Sequence, residues 1–216
     1  MLKDENREIE RVNRLYATEQ QCYAAGAQLV AGIDEAGRGP LAGPVVAGAV
    51  ILPPFYYLPR LNDSKLVSER ERNLLYGKIH NIAIAVGIGE VSVELIDRHN
   101  ILEATKLAMK KAIKNLGVTP DFLLIDAVKL ADVIIPQKNI IKGDRISASI
   151  AAASIVAKVH RDKLMRELHE EYPLYGFDCH KGYGTKEHLA ALAKYGPCPY
   201  HRRSFAPVKE ACHVQS

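Results

Sequence analysis

Two adjacent acids, Asp34 and Glu35, stand between an apolar run and a glycine loop in the stretch QLVAGIDEAGRGPLAGPVVAGAVIL. No other feature restricts the fold so tightly. The run LVAGI reads as a buried strand, and PVVAGAVIL at 44–52, β-branched and apolar, as a second. Charge placed between two such strands is costly without counter-charge. The pair therefore belongs at a sheet end, where Gly37 and Gly39 let the chain turn. Adjacent side chains of a regular strand point to opposite faces. Both acids can serve one site only if the chain is already turning at Glu35.

The remaining elements follow from pattern. Residues 1–27 read as a helical lead-in, and 28–216 as one domain. Strands are expected at 28–37, 44–52 and 82–93. Ser68 opens a short helix, and with Glu71 forms a capping box. An amphipathic helix is expected over 94–116, closed by Gly117 and Pro120. A buried strand ends near Asp126, and Pro136 leaves VIIPQKNIIKGD as a broken edge strand. The Ala/Ser-rich stretch 146–172 reads as a long helix able to pack closely on a sheet. A last short helix spans 185–196, followed by a basic tail, HRRSFAPVK. Short gaps between the first three strands allow hairpins, and a crossover helix precedes the fourth. The chain is thus an α/β domain on a mixed sheet.

Two further acids occupy comparable places. Asp126 follows the apolar run FLLI, and Asp144 follows NIIKG just before the Ala/Ser helix. Ligands of open α/β sheets gather at the carboxyl ends of strands, where Asp34, Glu35 and Asp126 could converge and Asp144 approach from a loop. Asp144 could instead cap its helix, and Asp126 a turn. Clustered carboxylates repel and raise one another's pKa. Divalent cations relieve that conflict, and hard oxygen ligands select Mg²⁺ or Mn²⁺. Two such ions about 4 Å apart suit phosphodiester hydrolysis.

Gly37-Arg38-Gly39-Pro40-Leu41-Ala42 also matches the dinucleotide fingerprint G-x-G-x-x-A. That fingerprint must open a helix, whereas Pro44 and VVAGAVIL announce a strand. The two acids would repel a pyrophosphate, and Pro40 removes a donor. The dinucleotide reading fails on these grounds.

Charge distribution supports a polyanionic partner. Residues 137–216 hold 13 Lys/Arg against 8 Asp/Glu, while the rest holds 16 against 17. A basic C-terminal third suits nucleic acid, though a solvated helical surface would look the same. The four cysteines, Cys22, Cys179, Cys198 and Cys212, form no C-x-x-C pair, so they read as free thiols, with Cys179 and Cys198 expected at the surface. No apolar run approaches the roughly 20 residues of a membrane span. Nor does the N-terminus look like a secretory signal, so a cytoplasmic location is expected.

GIDEAGRGPLAGPVVAGAV at 32–50 closely resembles the signature of the ribonuclease HII family. NDSK at 62–65, LLIDA at 123–127, KGD at 142–144, SASIAAASIVAKVHRD at 147–162 and HKGYGT at 180–185 resemble further family blocks in family order. The GRG loop points to type II rather than type III. The resemblance implies a ribonuclease H-like fold: a five-stranded mixed sheet flanked by helices, with a small helical C-terminal portion. It implies hydrolysis of RNA in RNA–DNA hybrids, and nicking 5′ of single ribonucleotides in duplex DNA to leave 5′-phosphate and 3′-hydroxyl ends. The family's acids map onto Asp34, Glu35, Asp126 and Asp144, as catalytic residues and metal ligands. Its GRG loop maps onto Gly37, Arg38 and Gly39, and its substrate-sensing tyrosine onto Tyr183. The expected cofactor is Mn²⁺ or Mg²⁺, two ions per site, and the expected partner a hybrid or ribonucleotide-containing DNA duplex bound by a monomer. Lys65, Lys158, Lys181, Arg202 and Arg203 are candidates for phosphate contacts. His180 and His201 are not required as ligands. A non-catalytic hybrid-binding protein on the same fold is the competing reading, against which the intact set of four acids argues.

Overall fold

A computed structural model describes residues 2–214. Its centre is a mixed sheet of five strands: β1 (Val30–Ala36), β2 (Val45–Ile51), β3 (Ala85–Val91), β4 (Phe122–Asp126) and β5 (Gln137–Ile140). Their order is β3-β2-β1-β4-β5. The first three pair antiparallel, β4 joins β1 in parallel and β5 joins β4 in parallel. A short loop joins β1 to β2, but the short gap expected between β2 and β3 is not found: residues 52–84, including the helix Glu69–Ile82, connect them. The parallel step from β3 to β4 contains the helical crossover it requires. The chain runs from the glycine loop directly into β2, so no helix opens there, as the dinucleotide fingerprint would demand.

Helices cover both faces of the sheet. Among the described residues they are α1 (Leu2–Leu15), α2 (Ala17–Ala24), α3 (Glu69–Ile82), α4 (Val93–His99), α5 (Ile101–Lys114), α6 (Ala148–Glu171), α7 (Phe177–His180), α8 (Lys186–Tyr195) and α9 (Ala206–Val214). On one face Ala104, Ala108, Met109 and Ala112 of α5 pack against Ala31, Ile33, Ala47, Ala49 and Ile51. On the other, Ala148, Ala151, Ala152, Ile155 and Val156 of α6 join Val50, Leu75, Ile79 and, from α1, Val12 and Leu15. The small residues of α6 have a specific effect. A Cβ on Gly32 of β1 would stand 2.0 Å from the main chain of Ser149, so α6 lies directly on the strand that carries the acidic pair.

Three further expectations need correction. The helix expected over 94–116 is two helices, because Asn100 adopts φ 69° and its side chain accepts the N–H groups of Leu102 and Glu103, capping α5. The expected basic tail carries a further helix, α9, whose Val208 is buried with Leu41 and Leu192. Cys198 is buried rather than at the surface, whereas Cys179 is exposed. The capping role of Ser68 stands: its hydroxyl accepts the Glu71 N–H.

The lead-in helices are fastened to the body. Glu19 of α2 is fully buried and accepts the Ser147 hydroxyl at 2.5 Å and the Ser149 N–H at 2.8 Å. A carboxylate at the first turn of α6 satisfies N-terminal donors and complements the helix dipole.

Candidate active site

Strand register builds the first half of the site. In the parallel pair of β1 and β4, Ile33 stands opposite Ile125. One residue further on, Asp34 and Asp126 therefore stand on neighbouring strands, where backbones run about 4.8 Å apart. Asp34 is buried, and its carboxylate accepts the Glu35 N–H at 2.7 Å. Burial, then the charges of Glu35 and Asp126, hold its carboxyl well above the usual range, only partly offset by the Glu35 N–H and the Ser154 hydroxyl.

The turn comes later than the sequence led us to expect. Glu35 still pairs with Ala47 and Ala36 with Val46, so β1 remains regular through both acids and bends at Gly37. The two side chains therefore leave opposite faces of β1, so the expected turn at Glu35 is not what links them; the link is electrostatic, the Glu35 charge acting on Asp34 and the Asp126 charge on both. Burial raises the Glu35 carboxyl, Arg38 at 3.3 Å lowers it, Asp126 raises it and Lys65 lowers it, for a net upward shift. Its Oε2 is buried with no hydrogen-bond partner among the described residues.

Asp126 draws in the fourth acid. Its carboxylate accepts the Gly143 N–H at 2.7 Å, pinning the 3₁₀ turn Gly143–Arg145 over the end of β4. Asp144 in that turn is buried, and its carboxyl is pushed up to about 6, by burial first and then by Asp63 and Asp126. Asp63 shares a hydrogen bond with it. Burial pushes Asp63 upward too, but the Lys65 N–H at 2.9 Å and the Arg145 guanidinium at 3.0 Å outweigh it. Asp63, in the NDSK block at 62–65, is an acid of this neighbourhood not anticipated from the sequence; its place beside Ser-Lys after a proline-rich loop was the available signal.

Beside the acids lies a cleft of about 600 Å³, lined by Glu35, Gly37, Arg38, Gly39, Ser64, Lys65, Ser154, Lys158, Arg161 and Tyr183. Gly37 adopts φ +95°, and a Cβ there would strike the Arg161 side chain at 2.1 Å. The Leu41 N–H donates to the Gly182 carbonyl at 2.8 Å, joining the GRG loop to the GYG block. The Tyr183 ring, 44% exposed, faces Gly39. The Lys158 ammonium pairs with Asp162 at 2.6 Å, and Lys181 donates to the Asp178 carbonyl. Arg203 is exposed, but Arg202 is fully buried and unavailable for the surface phosphate contact expected of it. His201 is buried against His188, 3.0 Å between their Nε2 atoms.

The expected acids thus share one electrostatic neighbourhood. They do not close into a ready-made cage: among the described residues no three His, Cys, Asp or Glu side chains are arranged to hold a metal ion. Each is turned to a local partner, Asp34 to the Glu35 N–H, Glu35 to Arg38, Asp126 to Gly143 and Asp144 to Asp63. The donor set still fits a hard divalent cation. It is all oxygen, it contains the orphaned Glu35 Oε2, and burial first, with neighbouring acids second, holds carboxyls of the cluster above their ordinary values.

Comparison with known proteins gives a consistent picture. The family model described as Ribonuclease HII matches residues 31–208. The chain is 60% identical to the ribonuclease HII of Chlamydia caviae over 197 residues, covering 89% of this chain and 91% of that one. It is 56% identical to that of Geobacillus thermodenitrificans over 207 residues, covering 96% and 80%. The ribonuclease H2 of Pyrococcus horikoshii OT3 superimposes with a TM-score of 0.72 at 26% identity, covering 87% of this chain and 98% of that one. The matched stretch begins within β1, ends within α9 and contains all four acids, so the chain belongs to the ribonuclease HII family.

Proposed function

We propose that the protein incises the RNA of RNA–DNA hybrids, and duplex DNA 5′ of single embedded ribonucleotides, through an acidic centre of Asp34, Glu35, Asp126 and Asp144. The observation that carries this reading is the placement of Asp34 and Asp126 one residue beyond the paired Ile33 and Ile125 on adjacent parallel strands, with burial and neighbouring acids raising Asp34. Such an arrangement is unfavourable unless a cation completes it. The four acids would hold Mg²⁺ or Mn²⁺, and a bound pair of such ions supplies Lewis acidity and charge neutralisation for phosphodiester hydrolysis.

The chain's own groups supply recognition. The 2′-hydroxyl marks RNA at a given site, and the small residues Gly37 and Gly39 let the main chain approach it. Tyr183, exposed beside Gly39, would lay its ring on the sugar that follows the ribonucleotide. Lys65 and Lys158 line the same cleft and would meet phosphates. Residues 28–216 would form the catalytic domain. Hydrolysis with no covalent enzyme intermediate would leave 5′-phosphate and 3′-hydroxyl ends. The role that fits is removal of ribonucleotides from DNA by a cytoplasmic monomer; no helix among the described residues is long and apolar enough to cross a membrane.

The test is incubation with duplex DNA carrying one ribonucleotide, with Mg²⁺ or Mn²⁺ and then with chelator. Nicking 5′ of the ribonucleotide that stops on chelation is expected. Binding without nicking would favour a passive hybrid-binding module and overturn the proposal.

A further inference from the structure

Arg161 and Arg202 are among the largest side chains that the fold buries completely, at 1% and 0% exposure. Burial lowers Arg161 to about 10 and Arg202 to about 9, so both stay charged at neutral pH. Among the described residues neither makes a direct ion pair; Asp162 acts on Arg161 and Asp97 on Arg202 only from beyond that distance. A buried charge without a counter-ion costs several kcal/mol, and an apolar side chain of similar volume would avoid that cost. Their donors go to main-chain carbonyls instead. Arg202 donates to Arg38 at 3.0 Å, to Gly37 at 2.6 Å and to Gly43 at 2.8 and 3.0 Å. Arg161 donates to Pro44 at 3.0 Å, Ala42 at 3.1 Å and Lys181 at 3.0 Å. Two guanidiniums thus clasp the GRG loop and the GYG block.

The consequence lies in the peptide planes. A trans peptide sets its C=O and N–H antiparallel, and the described residues contain no cis bond. With the Gly37 and Arg38 carbonyls drawn inward onto Arg202, the N–H groups of Arg38 and Gly39 face the other way. Neither N–H has a main-chain acceptor among the described residues. Consecutive outward N–H groups form a nest for anionic or hydroxyl oxygens, and here a buried positive charge lies beneath it. We propose that Arg202, backed by Arg161, is the positioning residue that presents the Arg38 and Gly39 N–H groups to oxygen acceptors of the substrate strand at the ribonucleotide. This rests on the reading that the Gly37–Gly39 loop meets the nucleic acid. Lysine cannot replace the function, because the three donors of one compact ammonium do not span the four carbonyls, of Gly37, Arg38, Gly43 and Pro44, that the planar fork reaches.

Three variants test the proposal: R202K, R202A and G39A. At Gly39 an added Cβ has room, its nearest neighbour being the Tyr183 ring at 3.6 Å, so G39A reports on the loop's outer face without disturbing the arginines. Values of kcat and KM on duplex DNA with one ribonucleotide are measured well below each variant's unfolding midpoint. Misplacing a binding group by about 1 Å can cost about 100-fold, and a loss of that order in kcat/KM is expected for R202K. Guanidinium chloride at non-denaturing concentration should recover activity of R202A, without changing its unfolded fraction, where equal NaCl does not. R202K kinetics within about twofold of wild type beside an impaired G39A, a difference under about 0.5 kcal/mol, would overturn the role of Arg202 alone. Absence of guanidinium rescue would also count against it. Wild-type kinetics in G39A would overturn the loop reading, and the proposal with it.

Discussion

At the scale of single residues, the electrostatics of Asp34 make a statement about stability. Its carboxyl is held well above the ordinary aspartate value when the chain is folded, chiefly by burial and then by Glu35 and Asp126. A group raised on folding favours the native state at low pH, and that contribution is lost as pH rises from the unfolded pKa through the folded one. Metal-free D34N should therefore unfold at higher temperature than wild type at pH 8, and with no advantage near pH 3. One kcal/mol corresponds to roughly 2–4 °C in a domain of this size, so a rise of a few degrees is expected in chelator. An equal difference at both pH values would contradict the electrostatic origin. The acids were legible in the sequence because each follows an apolar strand or precedes a helix. Asp63 and Arg202 were not: an acid in a proline-rich loop and an arginine in a basic tail both look like solvated charge until tertiary packing buries them.

Elements were legible where periodicity and punctuation agree. The strands β1 to β4 and the Ala/Ser helix α6 lie within a few residues of expectation. Asn100 was hidden because its neighbours on both sides keep a helical pattern, and only its positive φ and capping side chain break it. The tie from α2 to α6 is equally invisible in sequence, since Glu19 and Ser147 are far apart along the chain. Replacing Glu19 by alanine would strand the Ser147 hydroxyl and the Ser149 N–H in the interior. Leaving a buried donor unsatisfied costs about 1–3 kcal/mol. E19A should lose stability of that order in urea unfolding at neutral pH, even though Glu19 is distant from the acidic cleft in sequence. A change below about 0.5 kcal/mol, the range of ordinary surface substitutions, would show that α2 does not hold the start of α6.

For the whole molecule, the sheet order converts sequence separation into proximity. The parallel step from β1 to β4 brings Asp126 beside Asp34, and the 3₁₀ turn beyond β5 folds Asp144 back onto the same end. The basic C-terminal third then divides in two. Part of it, Arg161 and Arg202, turns inward to hold the loops beside the cleft, Lys158, Arg166 and Lys181 are half-buried, and the other Lys and Arg are exposed. Net charge alone could not separate these roles, because it counts a buried clasp and a phosphate contact alike. The assignment of the centre is tested most directly by single-turnover cleavage of duplex DNA carrying one ribonucleotide, comparing wild type with D34N in saturating Mg²⁺ or Mn²⁺. A carboxylate-to-amide change at a metal-holding acid should lower the rate by at least about 1,000-fold, some 4 kcal/mol of barrier, while duplex binding and the folded state persist. Cleavage by D34N at near the wild-type rate would contradict the acidic centre as the seat of catalysis.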